Sequence, residues 1–325
     1  MRIAFVGKGG SGKTTLAALL SRFLAERGAS VLAIDADINQ QLAITLGMDE
    51  ASAEVIPHLG NEVDRIKDYL RGTNPRIRST DVMVKTTPPG SGSRLLRLSE
   101  HNKIWEHFER TINGVRLLAT GPFTEDDLGI SCYHAKTGAV ELILNHLVDG
   151  PGEYVVVDMT AGADSFASGL FTRFDLTALV VEPTRQSLRV FEQYRRYAEG
   201  YGIRLVVVAN KAANTDDLSY IRDSVGDSLI AVIPVSDFIR RLERGEPQPF
   251  VRVEPAIREA LATIKTELDL CEKDWQKFHQ LTVHFHVKNA ESWANAVVGE
   301  DLSEQVDPEF AFDSNIVDNK SSNEK

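Results

Sequence analysis

A glycine-rich stretch near the N-terminus carries the residues with the clearest chemical meaning. It reads GKGGSGKTT from Gly7 and matches the spacing G-x-x-x-x-G-K-T that binds nucleoside triphosphates. The glycines let backbone N–H groups approach a phosphate chain without a Cβ in the way. In this pattern Lys13 reaches the β- and γ-phosphates, the Thr14 hydroxyl binds Mg²⁺, and Thr15 holds the α-phosphate. The predicted phosphate-binding residues are Gly9, Gly10, Ser11, Gly12, Lys13, Thr14 and Thr15.

Three aspartates stand where a bound Mg²⁺ and an attacking water need carboxylates. Asp35 and Asp37 end the run SVLAIDAD, two residues apart, so on an extended chain they face the same side. Two carboxylates beside Mg²⁺ can divide the work, one in the metal's shell and one polarising the water. Asp158 ends the run YVVVD, the pattern of a Walker B strand whose carboxylate reaches Mg²⁺ through water. We therefore expect these aspartates to complete the Mg²⁺ site with Thr14.

The run RLVVVANK ends in residues suited to an adenine base. The Asn210 side chain offers a donor and an acceptor, which match adenine N6 and N7. Lys211 follows, but the sequence NKAA lacks the aspartate of the guanine-reading pattern N-K-x-D, so ATP is favoured over GTP. Pro234 and Val235, in VIPVSD, are expected to line the other side of the base.

Apolar runs rich in Val, Ile and Leu recur along the chain without polar alternation, which is typical of strands buried on both faces of a parallel sheet. They read RIAFV, SVLAID, VRLLA, YVVVD, TALVVE, RLVVVAN and LIAVIP. Helical stretches such as TTLAALLSRFLAERG separate most of them. The alternation predicts an α/β fold with a doubly wound, mostly parallel sheet that presents the motif residues beyond the carboxyl ends of its strands.

The stretch K-G-G-x-G-K-T-T, with a lysine at its start, resembles the deviant Walker A motif of the MinD/ParA/ArsA group of P-loop ATPases, which have the SIMIBI type of fold. In that group the early lysine reaches across a homodimer to the partner's nucleotide. The resemblance implies that Lys8 acts in the partner subunit and neutralises charge developing on the phosphates. It also implies that Asp37 activates the attacking water, although Ile38 replaces the proline that often follows. Two other roles stay open for Lys8: a solvated loop residue, or a residue that serves its own nucleotide.

A second resemblance is to the carbon monoxide dehydrogenase maturation (CooC-like) branch of this group. That branch carries a Cys-x-Cys pair before a helix, and two copies build a metal site across the dimer. Here the stretch GISCYHAKTGAVELILNHL has Cys132 and His134 at the same spacing. Two cysteines and two histidines would suit Zn²⁺ and also Ni²⁺. The alternative is that Cys132 is an inert packed thiol.

The spacing of the elements divides the chain into three parts. Residues 1–265 form the predicted P-loop ATPase domain, interrupted by an insert around residues 50–130, in which the Pro- and Gly-containing stretch KTTPPGSGSR predicts a loop. Residues 266–300 form a small C-terminal element, in which FHQLTVHFHV is expected to be a short strand. Residues 301–325 form an acidic tail that is expected to be disordered.

The composition excludes several classes of function. The chain has 325 residues, a net charge of −11 and a pI near 5.3, which argues against nucleic acid or an anionic membrane as the main partner. No apolar run approaches the roughly 20 residues that span a bilayer, so membrane insertion is not expected. Two cysteines are too few for a disulfide framework and suit a reducing compartment, so we expect a cytoplasmic protein.

Together these features predict a homodimeric molecular switch that binds ATP and Mg²⁺, hydrolyses ATP slowly, and is stimulated by a client protein. The CooC-like features favour a role in metallocentre maturation or metal insertion into that client, with Zn²⁺ or Ni²⁺ at the dimer interface. The alternative is a MinD/ParA-like ATPase without a transition metal, which positions or remodels a protein complex. A small-molecule synthetase or kinase is disfavoured, because the sequence shows no second substrate-binding constellation.

Overall fold

The centre of the molecule is a mostly parallel sheet. The computed structural model describes residues 1–122, 133–160, 166, 169–246 and 248–317. Over these residues the strands are β1 (Arg2–Gly7), β2 (Ser30–Ala36), β3 (Leu96–Arg97), β4 (Arg110–Ile112), β5 (Val115–Ala119), β6 (Leu147–Val148), β7 (Glu153–Met159), β8 (Leu176–Val181), β9 (Leu205–Asn210) and β10 (Leu229–Ile233). The main sheet has the order β10-β9-β8-β1-β7-β2-β5-β4, and only the β4–β5 pairing among these described strands is antiparallel. This confirms the predicted α/β fold.

Helices cover both faces of the sheet. Over the same residues they are α1 (Lys13–Ala25), α2 (Leu42–Leu46), α3 (Glu50–Glu54), α4 (Val63–Arg71), α5 (Lys103–Phe108), α6 (Tyr133–His146), α7 (Arg185–Tyr201), α8 (Thr215–Val225), α9 (Asp237–Glu243), α10 (Pro255–Asp269), α11 (Trp275–Asn289), α12 (Asn295–Val298) and α13 (Ser314–Val317). None of these described helices combines the length and the apolar character needed to cross a membrane.

The continuous apolar runs of the sequence are explained by two cores, one on each face of the sheet. In β1, Ile3 and Phe5 face the core shared with α1 and α10, whereas Ala4 and Val6 face the core shared with α6 and α7. Successive side chains of a strand point to opposite faces, so a strand covered on both sides must be apolar throughout.

The insert is more regular than its composition predicts. It contributes α3, α4 and α5, and α4 packs against α6. Its stretch KTTPPGSGSR is irregular, but Thr86 and Thr87 within it are fully buried. Thr87 Oγ1 accepts from the Val84 N–H at 3.0 Å and donates to Gln305 Oε1 at 3.0 Å. Gln305, from the C-terminal part of the chain, therefore packs against the insert and satisfies one of its buried hydroxyl groups.

The C-terminal element is helical, so the prediction of a short strand in FHQLTVHFHV is wrong. The alternation of His and Phe in this stretch resembles a strand pattern, but the apolar period over the whole segment is that of a helix. The buried residues of α11 are Phe278, Thr282, Phe285 and His286. His286 Nε2 lies 2.8 Å from the Leu302 carbonyl oxygen, whereas His284 is exposed.

Residues 301–317 fold back onto the insert, which differs from the disordered tail predicted from residue 301. Leu302 and Phe312 are buried. The Asp307 carboxylate accepts from the Ser91 N–H at 2.8 Å. The acidic composition does not prevent folding here, because apolar side chains and one carboxylate meet specific partners. The rest of the predicted tail lies outside the described residues.

Candidate functional site

The phosphate loop joins β1 to α1, which begins at Lys13. Gly12 has a φ of 100°, in the left-handed region, and a Cβ at this position would overlap Asn210 Nδ2. Only glycine fits there. Among the described residues no side chain caps the first turn of α1. Its N–H groups are therefore available to an anion, at the end of the helix where the dipole favours negative charge.

A cavity of about 500 Å³ opens beside this loop. Its volume lies within the range of about 300–1,000 Å³ that small-molecule sites have. Its lining consists of Gly9, Gly10, Gly12, Lys13, Thr14 and Thr15 from the loop, Asp37, Asn39, Gln41, Ile44, Thr45 and Glu50 from the segment after β2, and Leu242, Glu243, Arg244 and Gly245. The structure thus brings the predicted phosphate residues and Asp37 together around one space.

The wall formed by residues 242–245 was missed by sequence reasoning. Thr15 Oγ1 donates to Glu243 Oε1 at 3.4 Å, so this wall contacts the phosphate loop directly. These residues form the end of α9 and the turn after it rather than following a strand, so the rule that ligands bind beyond strand ends does not mark them. The available signal is Gly245, placed just after a short amphipathic helix, where it ends the helix and reverses the chain.

Asn210 and Lys211 lie against the phosphate loop. Asn210 Nδ2 donates to the Ser11 carbonyl oxygen at 2.8 Å, and Lys211 Nζ donates to the Gly10 carbonyl oxygen. Lys211 also pairs with Glu182 at 2.9 Å. These contacts support the loop from outside the cavity.

The predicted contacts with the base stay predictions. Pro234 and Val235 directly follow β10, and Val235 is 57% exposed. Within the part of the chain that the structure describes, neither these two residues nor Asn210 and Lys211 belong to the cavity lining.

The three predicted aspartates meet at the carboxyl edge of the sheet. Asp35 and Asp158 are register partners on the neighbouring strands β2 and β7. Asp37 Oδ2 lies 3.6 Å from Lys13 Nζ. All three aspartates and the lysine are buried. Three carboxylates thus share a space that contains one nearby ammonium group.

This crowding shows in the proton affinities of the acids. Burial raises the pKa of Asp158 well above its ordinary value, and the charges of Asp35 and Asp37 raise it further, against the Thr14 hydroxyl and the Lys13 ammonium. Burial also raises the pKa of Asp35 to about 7, although backbone N–H groups donate to its carboxylate. Both acids would be stabilised by an additional positive charge.

The donor set fits a hard divalent cation. Both carboxylate oxygens of Asp158 are buried, and among the described residues only the Thr14 hydroxyl and the Lys13 ammonium favour its charged form. A buried carboxylate is costly in that state unless it meets a cation. No group of three or more His, Cys, Asp or Glu side chains in the described ranges encloses a metal by itself. The neighbouring carboxylates of Asp35, Asp37 and Asp158 suit Mg²⁺, which prefers oxygen ligands, keeps several waters and shares phosphate oxygens with its protein ligands.

Residues 3–248 match the family described as "CobQ/CobB/MinD/ParA nucleotide binding domain". The chain belongs to this family. The carbon monoxide dehydrogenase accessory protein CooC of Rhodospirillum rubrum, a relative, is 29% identical over 247 residues, which cover 75% of this chain and 87% of CooC. The P-loop ATPase character of the family agrees with the resemblance drawn from the sequence.

Solved structures of family members share the fold. The MinC:MinD cell division protein complex of Aquifex aeolicus gives a TM-score of 0.54 at 21% identity, covering 84% of this chain and 97% of that one. MinD of Pyrococcus horikoshii, solved with Mg-ADP, gives a TM-score of 0.50 at 20% identity, covering 87% and 94%. At these identities the likeness establishes the fold.

The family's early lysine corresponds to Lys8. It is half-buried, and its carbonyl oxygen accepts from the Ser11 N–H at 3.1 Å. Its ammonium group forms no hydrogen bond or ion pair with the residues that the structure describes. The action of Lys8 in a partner subunit stays a prediction.

The predicted transition-metal pair falls outside the described residues. This applies to Cys132, which precedes α6, and to the side chain of His134 in the first turn of that helix. Binding of Zn²⁺ or Ni²⁺ by this pair therefore stays a prediction.

Proposed function

We propose that this chain is an ATP-hydrolysing switch that works as a homodimer. The observation that carries the proposal is that an uncapped helix N-terminus meets three buried carboxylates at one edge of the sheet, all within the described residues. Such a site takes a phosphate chain at the helix end and a hard cation at the acids. Membership of a nucleotide-binding ATPase family supports this assignment.

The residues of the site divide the work as follows. Thr14, Asp35, Asp37 and Asp158 would hold Mg²⁺, which supplies positive charge to the β- and γ-phosphates when bound. Lys13 lies close enough to Asp37 to exchange that carboxylate for a phosphate oxygen. Asp37, relieved of this ion pair, then orients a water molecule for in-line attack on the γ-phosphorus and accepts its proton.

Lys8 supplies the missing positive charge from the partner subunit. A cation that arrives only on pairing makes hydrolysis depend on dimerisation, which is the property of a switch. We expect Lys8→Ala to bind ATP normally and to lose about 10²–10³-fold in turnover, the loss typical of one electrostatic contact to a transition state. Lys13→Ala should lose both binding and turnover. The exposed Lys103 provides the matched control Lys103→Ala, which should behave as wild type.

A mixing experiment separates action in the partner from action in the same chain. Lys8→Ala and Asp37→Ala proteins are each assayed alone and then mixed. If Lys8 acts across the dimer, about half of the randomly formed dimers are mixed, and each has one complete site, so about a quarter of wild-type turnover returns. If Lys8 serves its own nucleotide, every site in the mixture is defective, and the absence of recovery refutes the proposal.

Metallocentre maturation is the more specific function that we propose for this switch. It is supported by the similarity to CooC and by the spacing of Cys132 and His134. Metal analysis of the purified ATP-bound dimer should give stoichiometric Zn²⁺ or Ni²⁺ that is lost in Cys132→Ser. A wild-type dimer without either metal would favour the second candidate, a MinD/ParA-like ATPase that positions or remodels a protein complex. The likeness in fold to the MinD structures is the observation that motivates this candidate.

The client protein can be captured with an Asp37→Ala trap. This variant should bind ATP, fail to hydrolyse it, and remain bound to its client. Capture that requires ATP and is absent with Lys13→Ala would identify a partner of the ATP-bound state.

A further inference from the structure

The side chain of Gln40 joins the Asp35 carboxylate and the Asp37 backbone carbonyl to the segment after β5. Its Nε2 donates to Asp35 Oδ1 at 3.3 Å and to the Asp37 carbonyl oxygen, and its Oε1 accepts from the Gly121 N–H at 3.1 Å. These partners fix the orientation of the amide, because only its NH₂ can donate and only its oxygen can accept. One side chain thus links two carboxylate residues to a position 81 residues further along the chain.

The backbone of Gln40 adopts a conformation that glutamine rarely takes. Its φ of 38° lies in the left-handed region, which costs a residue with a side chain about 1–2 kcal/mol. Such a conformation persists where the surroundings stabilise it. The three hydrogen bonds of the Gln40 amide provide that stabilisation. The neighbouring Gln41 is exposed, and within the described part of the chain its amide donates to the nearby Asn39 carbonyl oxygen alone, at 3.2 Å.

The other end of this link is a short segment after β5, residues 120–122, which we call the exit segment. The Thr120 N–H donates to the Asp35 carbonyl oxygen at 2.9 Å, so the segment starts beside the same aspartate. At its far end the Pro122 carbonyl oxygen accepts from Lys136 Nζ at 2.8 Å. Lys136 is a buried residue of α6, so the exit segment connects the carboxylates with that helix.

Gly121 is the residue of the exit segment whose backbone packs closely against His58. Its φ is 104°, and a Cβ there would lie 2.7 Å from the Cβ of His58. The backbone of Gly121 therefore packs directly against His58. Because the Gln40 amide bonds to the backbone N–H of Gly121, a movement of that amide moves the backbone of the exit segment itself.

We infer that Gln40 is a positioning residue that couples the carboxylates acting on ATP to the exit segment and to α6. The inference rests on the proposed ATP hydrolysis. Asp37 must change partners from Lys13 to water during turnover, and its carbonyl oxygen is held by Gln40. The amide therefore keeps Asp37 aligned and conveys its state to Gly121.

Two substitutions at Gln40 give a signature that loss of packing would not produce. Gln40→Ala removes the whole amide, so kcat should fall about tenfold with KM within about twofold, and amide hydrogen exchange at Gly121 should speed up about tenfold. Gln40→Glu keeps an acceptor for Gly121 but sets a carboxylate against Asp35 and Asp37. Its kcat should therefore be lower than that of the alanine variant, while exchange at Gly121 stays closer to wild type. The exposed Gln276 on α11 provides the controls Gln276→Ala and Gln276→Glu.

Gln40→Gly is a second variant that tests the inference even if Gln40→Ala does not fold. It removes the amide and also relieves the left-handed backbone, so it should be at least as stable as the alanine variant and show the same loss of kcat. Wild-type kcat in the glycine or alanine variant, or the same ranking of the glutamate and alanine variants in both measurements, would overturn the inference. A wild-type protein that does not hydrolyse ATP would instead overturn the proposed function, so the two failures are distinguishable.

Discussion

Buried acids lie at both edges of the sheet, but in opposite electrostatic surroundings. At the carboxyl edge, Asp35 and Asp158 have raised pKa values, because burial is not offset by enough positive charge. At the amino edge, Asp149 is also buried, yet its Oδ1 lies 2.6 Å from Arg2 Nε and its Oδ2 lies 2.9 Å from Lys273 Nζ. Burial alone would raise the pKa of Asp149, but Lys273, Arg2 and the amino terminus together hold it well below its ordinary value.

The difference teaches that burial of a charge does not by itself mark a functional site. The paired acid at the amino edge is part of the architecture. Its partner Arg2 also donates to the Leu144 carbonyl oxygen at 3.0 Å and to that of Leu147, so it ties β1 to the end of α6. At the carboxyl edge, the Thr14 hydroxyl and the Lys13 ammonium do not offset the burial of Asp158 and the charges of its neighbouring acids, and a bound cation can supply the missing positive charge.

Breaking the pair at the amino edge should have the largest effect on stability. Asp149→Asn leaves the buried Arg2 guanidinium without its counter-charge, so the free energy of unfolding should fall by about 3–5 kcal/mol, while turnover per folded molecule is unchanged. Urea unfolding measures the loss, and the exposed Asp223→Asn is the control. A loss below about 1 kcal/mol is the size expected for a surface ion pair, and it would contradict a structural role for the buried pair of Asp149 and Arg2.

The pH dependence of this loss has a definite sign. The folded-state pKa of Asp149 is depressed, so its contribution is complete above the ordinary aspartate pKa of about 4 and is lost as the pH falls toward the folded-state value. Wild type and Asp149→Asn should therefore converge in acid.

The carboxyl edge should respond in the opposite direction. Without Mg²⁺ or nucleotide, Asp158→Asn removes a buried acid whose ionisation the folded state disfavours, so the variant should be about 1–3 kcal/mol more stable than wild type at pH 7. The folded-state pKa of Asp158 is raised, so the wild type loses stability as the pH rises above about 4, and the two proteins should converge toward that pH. Urea unfolding in EDTA at pH 4.5 and at pH 7 checks this. A variant that is less stable than wild type at pH 7 would contradict the comparison.

The smallest effect is expected from removing one of several cations at the amino edge. Lys273→Met leaves Asp149 with Arg2 and the amino terminus, and the lysine is partly exposed, so the loss should be about 1 kcal/mol. Thermal unfolding resolves a change of this size. A loss equal to that of Asp149→Asn would show that Lys273 carries the pairing alone.

The site could be predicted from the sequence where its residues follow local patterns. The phosphate loop is one contiguous motif, and Asp35 and Asp158 each end an apolar run, so the topology of a parallel sheet brings them together. Residues 242–245 and the Gln40 bridge could not be predicted in this way, because they depend on how distant segments pack. The strand predicted around His284 does not form, because the apolar residues of the whole segment recur at the helical period and the alternation of His and Phe is only local.

The closure of the insert by the C-terminal segment has a consequence for the order in which the chain matures during synthesis. Ser91 and Asp307 are 216 residues apart, an interval that takes roughly 10–40 s at about 5–20 residues per second. The buried Thr87 hydroxyl likewise has no acceptor in Gln305 until that residue has been synthesised. The insert is therefore translated early but completed last, and a nascent chain halted before residue 300 would carry an assembled sheet beside an unfinished surface.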